Sequence, residues 1–105
     1  MKRGLSEICY GFFSTLANPT RLAILEKLSE GEMNVTGLAS EIGQEQSMVS
    51  HNLKILEQCS FVFSKRRGKE KFVSLNGDTV NSIFGIVEEH EDKYCKAAGN
   101  CPYRD

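Results

Sequence analysis

Several things are missing from this chain, and each absence narrows its chemistry. No apolar run approaches the roughly 18 residues that a membrane-spanning helix needs. The N-terminal stretch MKRGLSEICYGFF has two basic residues but then meets Ser6, Glu7, Cys9 and Tyr10. It lacks the clean apolar core and small-residue cleavage site of a secretory leader, so a cytoplasmic protein without membrane association is expected. In that compartment the four cysteines are expected to be thiols or ligands, not a disulfide framework. No Cys-x-x-Cys pair is present, which speaks against thiol catalysis. No repeat, low-complexity segment or linker interrupts the 105 residues, so residues 1–105 read as one domain with one modest core. Nor is there a basic excess. The formal net charge of −1 argues against a uniformly basic nucleic-acid binder.

The distribution of charge says more than its sum. Residues 65–71, KRRGKEK, carry five bases against one acid, whereas residues 76–105 carry six acids against three bases. A basic finger on a near-neutral body suits contact with an anion at one place, although a charge run alone is more often a solvated turn.

Hydrophobic spacing predicts the elements. Leu5, Ile8, Phe12 and Leu16, with Cys9 and Phe13 beside them, form a first helical stripe. Asn18-Pro19 starts a second helix as N-cap and first helical residue. Leu22, Leu25 and Leu28 continue that helix, and Gly31 suits its end. Asn34 can cap a third, short helix with Val35, Leu38, Ala39 and Ile42 inward, stopped by Gly43. The stretch QSMVSHNLKILEQ, residues 46–58, is a fourth helix with Val49, Leu53 and Leu56 on one side. FVFSKR and EKFVSL, separated by Arg67-Gly68-Lys69, read as a β-hairpin. After the turn Asn76-Gly77-Asp78, Asp78 is expected to cap a closing helix with Val80, Ile83, Phe84, Val87 and Tyr94 along one stripe. The expected class is mainly α with a small β-hairpin: a winged helix-turn-helix in the order α-α-α-α-β-β-α.

The fourth helix carries an unusual polar face: Ser47, Ser50, His51, Lys54 and Gln58. A solvated face commonly uses Glu and Lys. Short neutral polar side chains suit the base edges of a DNA major groove, where carboxylates would meet phosphate repulsion and lysines alone would bind every sequence alike. Gln46, Ser47, Ser50 and His51 are therefore candidates for base contact, and Lys54 for phosphate. In the hairpin, Lys65, Arg66, Arg67 and Lys69, with Lys71, are candidates for contact with the DNA backbone or minor groove. Phe61, Phe63 and Phe72 are expected in core or sheet packing. A unit this small reads only a few base pairs. The surplus apolar stripes of the first and last helices suggest a two-fold seam, with Ile8, Phe12, Ile83 and Val87 as candidates. A homodimer would then place two reading helices in successive major grooves about 34 Å apart on double-stranded operator DNA.

The segments LANPTRLAILEKL, QSMVSHNLKILEQ and FSKRRGKEKFVSL resemble the ArsR/SmtB family of winged-helix repressors over roughly residues 12–75. The resemblance implies a homodimeric prokaryotic repressor that releases its operator when a metal ion, metalloid or reactive sulfur species reaches a sensor site. The chain departs from the family's patterns. Where a Cys-x-Cys sensor would stand at the third helix, it has Met33-Asn34-Val35-Thr36-Gly37. At the positions of a four-ligand site on the last helix it has Gly77, Thr79, His90 and Lys93, of which only His90 fits. Glu45 stands where the family often has a capping Ser.

Four thiols remain. Cys59 is expected to be a buried structural thiol. Cys95 and Cys101 lie in the tail YCKAAGNCPYRD, with Gly99-Asn100 between them to turn the chain back. Soft thiolates select soft acceptors, so arsenite or a soft divalent metal ion could be held by Cys95 and Cys101 with Cys9, supplied by the partner chain. His90 is a weaker donor, because residues 90 and 95 stand about 140° apart on an ideal helix. A reversible disulfide or polysulfide link between Cys95 and Cys101 is the redox alternative. A winged-helix protein-interaction module is another. No arrangement of nucleophile and base points to an enzyme.

Overall fold

A computed structural model describes residues 4–95, with the side chains of Leu5 and Ile8 outside the description. The elements are α1 (Leu5–Leu16), α2 (Pro19–Leu28), β1 (Met33–Asn34), α3 (Val35–Ile42), α4 (Gln46–Gln58), β2 (Val62–Arg67), β3 (Glu70–Leu75) and α5 (Gly77–His90). A π-helical turn, Glu91–Cys95, continues α5. This is a winged helix-turn-helix, mainly helical as expected, but its sheet has three strands in the order β1-β3-β2. The added strand β1 is too short for any period-2 signal; it exists because Met33 and Asn34 pair with Val73 and Phe72 of β3.

Local chemistry sets most of the boundaries. The Asn18 side chain accepts from the Arg21 amide at 3.0 Å, with Pro19 in the first turn of α2, where no amide hydrogen is needed. The Asn34 side chain does the same for Gly37 at 2.7 Å. Gly43 ends α3 at φ 67, and the Gln44 amide returns to the Ala39 carbonyl at 3.1 Å. The left-handed conformation costs a residue with a Cβ more than it costs glycine, and here it gives the sharp turn into α4. In the hairpin, Gly68 at φ 64 takes the first place of the two-residue turn between Arg67 and Glu70.

Other boundaries differ from expectation. α2 ends at Leu28, and the Glu30 and Gly31 amides close tighter turns onto Lys27 and Leu28 carbonyls before Gly31 is reached. Asp78 is not the cap of α5 but lies inside its first turn, where its charge favours the helix dipole. Asn76 holds the cap position without a side-chain bond to α5, because its side-chain amide donates to the Ser60 carbonyl at 2.8 Å. Cys59 is exposed, contrary to expectation. It sits at the end of α4, and Ser60 at φ 59 turns the chain there, so a residue that would continue the Leu53 and Leu56 stripe is lifted out of the core.

The core gathers buried residues from all five α-helices and the sheet: Leu16 of α1, Ile24 and Leu25 of α2, Leu38 of α3, Val49, Leu53 and Leu56 of α4, Phe61, Val62 and Val73 by the sheet, and Val80 of α5. Burying side chains of this size contributes roughly 1.5–3 kcal/mol each, and it clamps α4 by its inner face alone.

Candidate nucleic-acid interface

With Val49, Leu53 and Leu56 inward, the opposite side of α4 is turned to solvent. Gln46, Ser47, Ser50, His51 and Lys54 are all exposed. Met48, which sequence reasoning passed over, is exposed beside them and adds an apolar group of the kind that meets a thymine methyl. Glu45 takes the N-cap position of α4 with no side-chain capping bond.

Period-2 alternation sorts the hairpin cations. Pairing of Val62 with Leu75, Ser64 with Val73 and Arg66 with Lys71 puts these residues on the core side of the sheet. Lys65 with Phe72 and Arg67 with Glu70 lie on the other side. Arg66 and Lys71 thus lie on the side of the sheet that faces α4. Together with Lys69, Gln46, Ser50, Asn34 and Thr36 they line a cleft of about 250 Å³ between hairpin and helix-turn-helix. Asn34 and Thr36 were not singled out from the sequence as part of this surface. Their signal was the start of α3, where the helix dipole favours an anion. Lys71 is engaged from within: its Nζ lies 3.2 and 3.4 Å from the two carboxylate oxygens of Glu57. Arg67 is engaged as well, 2.7 Å from Glu32 and stacked at 4.8 Å on the Phe72 ring. Lys54, Lys65 and Lys69 make no ion pair among the described residues. Of the three phenylalanines, Phe61 is buried, Phe72 lies half-buried under Arg67, and Phe63 is exposed instead of packed.

A second set of contacts holds α4 from behind. Arg21 donates from Nε to the Thr15 carbonyl at 2.6 Å, from Nη2 to Ser14 at 3.4 Å and from Nη1 to the side chain of Asn52 at 3.1 Å. Asn52 is only 7% exposed and also donates to the Met48 carbonyl at 3.0 Å. Thr15 is buried, with its hydroxyl 3.3 Å from the Cys59 sulfur. The end of α1 is therefore linked through Arg21 of α2 to the middle of the exposed helix, and through Thr15 to Cys59 just past its end. Nothing in local spacing marks Asn52, a polar residue on the inner side of α4, as Arg21's partner.

The seam candidates divide. Phe12 and Ile83 are half-buried against the chain's own core, Phe12 edge-on to Phe61 at 5.1 Å. Val87 is 58% exposed and lines, with Leu22 and Phe84, an apolar groove of about 310 Å³ between α2 and α5. Tyr10 and Phe13 of α1 and Ile86 of α5 are large exposed apolar side chains that were not named as seam residues. Among the thiols, Cys9 and Cys95 are half-buried, while Cys101, like the Ile8 side chain, lies outside the described residues. Among the described residues no three His, Cys, Asp or Glu side chains converge on a metal-holding geometry. His90 packs its ring 5.1 Å from that of Tyr94. Among the described residues no helix is long and apolar enough to cross a membrane.

An exposed polar helix, held by its apolar back beside a basic hairpin, defines the winged helix-turn-helix class of DNA-binding proteins. The sequence pattern of bacterial regulatory proteins of the arsR family matches residues 18–64. The chain is 37% identical to the nodulation protein NolR of Rhizobium meliloti over 80% of its own length and 69% of that protein's. It is 47% identical to the HTH-type transcriptional regulator NmtR of Mycobacterium tuberculosis over 73% of this chain and 64% of that one. A probable mercury resistance operon repressor of Streptomyces lividans is 31% identical over 90% of this chain and 70% of its own. The solution structure of the homodimeric winged helix-turn-helix DNA-binding domain Mb0332 of Mycobacterium bovis superposes with a TM-score of 0.75 at 29% identity, covering 86% of this chain and 83% of that one. The chain belongs to the ArsR family, whose members are DNA-binding transcriptional regulators and not enzymes.

Proposed function

We propose that this protein is a homodimeric repressor that reads operator DNA with α4 and lays its hairpin along the adjoining backbone. The observation that carries the proposal is the division of α4: Val49, Leu53 and Leu56 are wholly buried, while Gln46, Ser47, Ser50, His51 and Lys54 all face solvent beside the basic cleft. Gln46, Ser47, Ser50 and His51 would contact base edges. Lys54, Lys65, Arg66 and Lys69 would neutralise phosphates, so affinity should fall steeply with salt. The exposed apolar side chains of α1 and α5 support a two-fold seam, with Ile8, Phe12, Ile83 and Val87 in or beside it. The homodimeric relative points the same way.

Release would follow by linkage. A dimer shape whose two reading helices no longer match successive grooves gains population when its thiolates hold an inducer better. Thiolate chemistry suits arsenite or another soft metal ion. The residues that would hold it are Cys95 and Cys101, with Cys9 of the other protomer, and the mercury-operon relative supports a soft inducer. No full donor set forms within the described residues of one chain, so such a site needs Cys101 or the second protomer to complete it.

The test is duplex binding to the DNA upstream of the protein's own gene. Ser50→Glu and His51→Glu should each abolish specific binding and leave the dimer folded; unchanged affinity would remove α4 from the reading role. Arsenite, cadmium, zinc and peroxide are then titrated into the parent and into the Cys95→Ser/Cys101→Ser variant. Loss of the response to a metal or to arsenite supports the tail site, loss of the response to peroxide alone supports a redox sensor, and an unaltered response excludes both.

A further inference from the structure

The five cations of residues 65–71 look equivalent in sequence, but their surroundings differ. Arg67 lies on the side of the sheet away from the core, diagonal to Phe72, and its guanidinium carbon stands 4.8 Å from the centre of that ring. Its Nη1 lies 2.7 Å from Oε1 of Glu32, the residue just before β1. Next to this pair, Asn34 Nδ2 donates to Oε1 of Glu70, the cross-strand partner of Arg67, at 3.2 Å. Asn34 is also the cap of α3. The outer end of the hairpin is thus tied by two side-chain links, next to the backbone pairing of β1 and β3, to the segment that begins the helix-turn-helix.

We infer that Arg67 is a positioning residue: it braces the hairpin against the β1 segment and thereby sets where Lys65, Arg66 and Lys69 meet a duplex, without itself neutralising a phosphate. The inference rests on the DNA-reading role proposed above. A planar guanidinium can form an ion pair and stack on a ring at once, which an ammonium does less well. A cation already compensated by a carboxylate releases no counterion of its own from DNA. Glu32 makes the sharpest distinction. If it were only a nearby negative charge, its removal would favour DNA. If it is one half of the brace, its removal disfavours DNA.

The experiment compares the full-length parent with Arg67→Gln, Glu32→Gln, the double variant and Lys69→Gln. Operator affinity is measured over a salt series, and backbone amide exchange is followed in the free protein. Arg67→Gln and Glu32→Gln should each weaken operator binding about two- to fivefold, the range open to a half-exposed ion pair. The double variant should be no weaker than either single one, and all three should keep the parent's salt slope. Lys69→Gln, which removes one phosphate contact from each protomer of the proposed dimer, should flatten that slope by about 1.8. Without DNA, both brace variants should speed exchange at Phe72 and Val73 while the thermal midpoint stays near the parent's. Tighter binding by Glu32→Gln, a flattened slope for Arg67→Gln, or unchanged exchange would each overturn the brace. A parent that binds no duplex while the exchange result holds would defeat the DNA reading and, with it, the brace's effect on binding.

Discussion

The bond between Arg21 and Asn52 offers the most direct test of how α4 is held. Asn52→Ala removes a nearly buried amide that accepts from the guanidinium at 3.1 Å and donates to the Met48 carbonyl at 3.0 Å. A hydrogen bond to a charged group contributes about 1.5–3 kcal/mol and a neutral one about 0.5–1.5 kcal/mol. The lower end applies to the first, because Arg21 is only half-buried and keeps the Thr15 and Ser14 carbonyls. The expected loss is about 2 kcal/mol. It should appear in urea unfolding as a lower midpoint with an unchanged slope, measured at one fixed protein concentration because the proposed dimerisation would add to apparent stability. Combined with Arg21→Ala, the two losses should fall short of additive by about 1 kcal/mol. A loss below about 0.5 kcal/mol for Asn52→Ala, or strict additivity, would mean that this bond does not fasten α4 to α2 and the end of α1.

Two helix ends make opposite predictions. Gly43 and Ser60 both adopt positive φ after a helix, at 67 and 59. Gly43→Ala should therefore destabilise by about 1 kcal/mol and Ser60→Gly should stabilise by up to about 1 kcal/mol in thermal unfolding; like signs would show that neighbours, not backbone strain, control these turns. Lys27 is held above the ordinary lysine range by its hydrogen bond to Glu30, then by the charges of Glu30 and Glu41. The stability this lends is present below the ordinary lysine value and is lost as pH rises through the raised one. Glu30→Gln should bring the Lys27 midpoint down in an NMR titration, and high salt should shrink the difference. A midpoint that does not move would assign the shift to another cause.

Much of the surface proposed to meet DNA is legible in the sequence. The stripe Val49, Leu53 and Leu56 fixed which side of α4 is buried, and so left Ser50 and His51 outside. The hairpin was legible from two β-rich runs about a glycine. What was illegible was the fate of each cation, because Lys71 and Arg67 are engaged by Glu57 and Glu32, far away along the chain. Cys59 was misread for a different reason: a thiol just past α4 was expected inside, but Ser60 at φ 59 turns the chain there and leaves it exposed.

Sequence by itself determined those features whose partners lie within about one turn: the caps at Asn18 and Asn34, the stop at Gly43, the hairpin turn at Gly68 and the inner stripes of α3 and α4, whereas Leu22, Val87 and Tyr94 of the stripes expected for the second and closing helices are exposed. Backbone sterics and short-range hydrogen bonds act there whatever the rest of the chain does. Tertiary structure alone decided that Met33 and Asn34 form a strand, that Asn76 serves Ser60 instead of its own helix, that Arg21 reaches Asn52 and that Arg67 meets Glu32 and Phe72. Each of these needs two distant segments brought together by burial of the core, and only then do a donor and its acceptor come within reach.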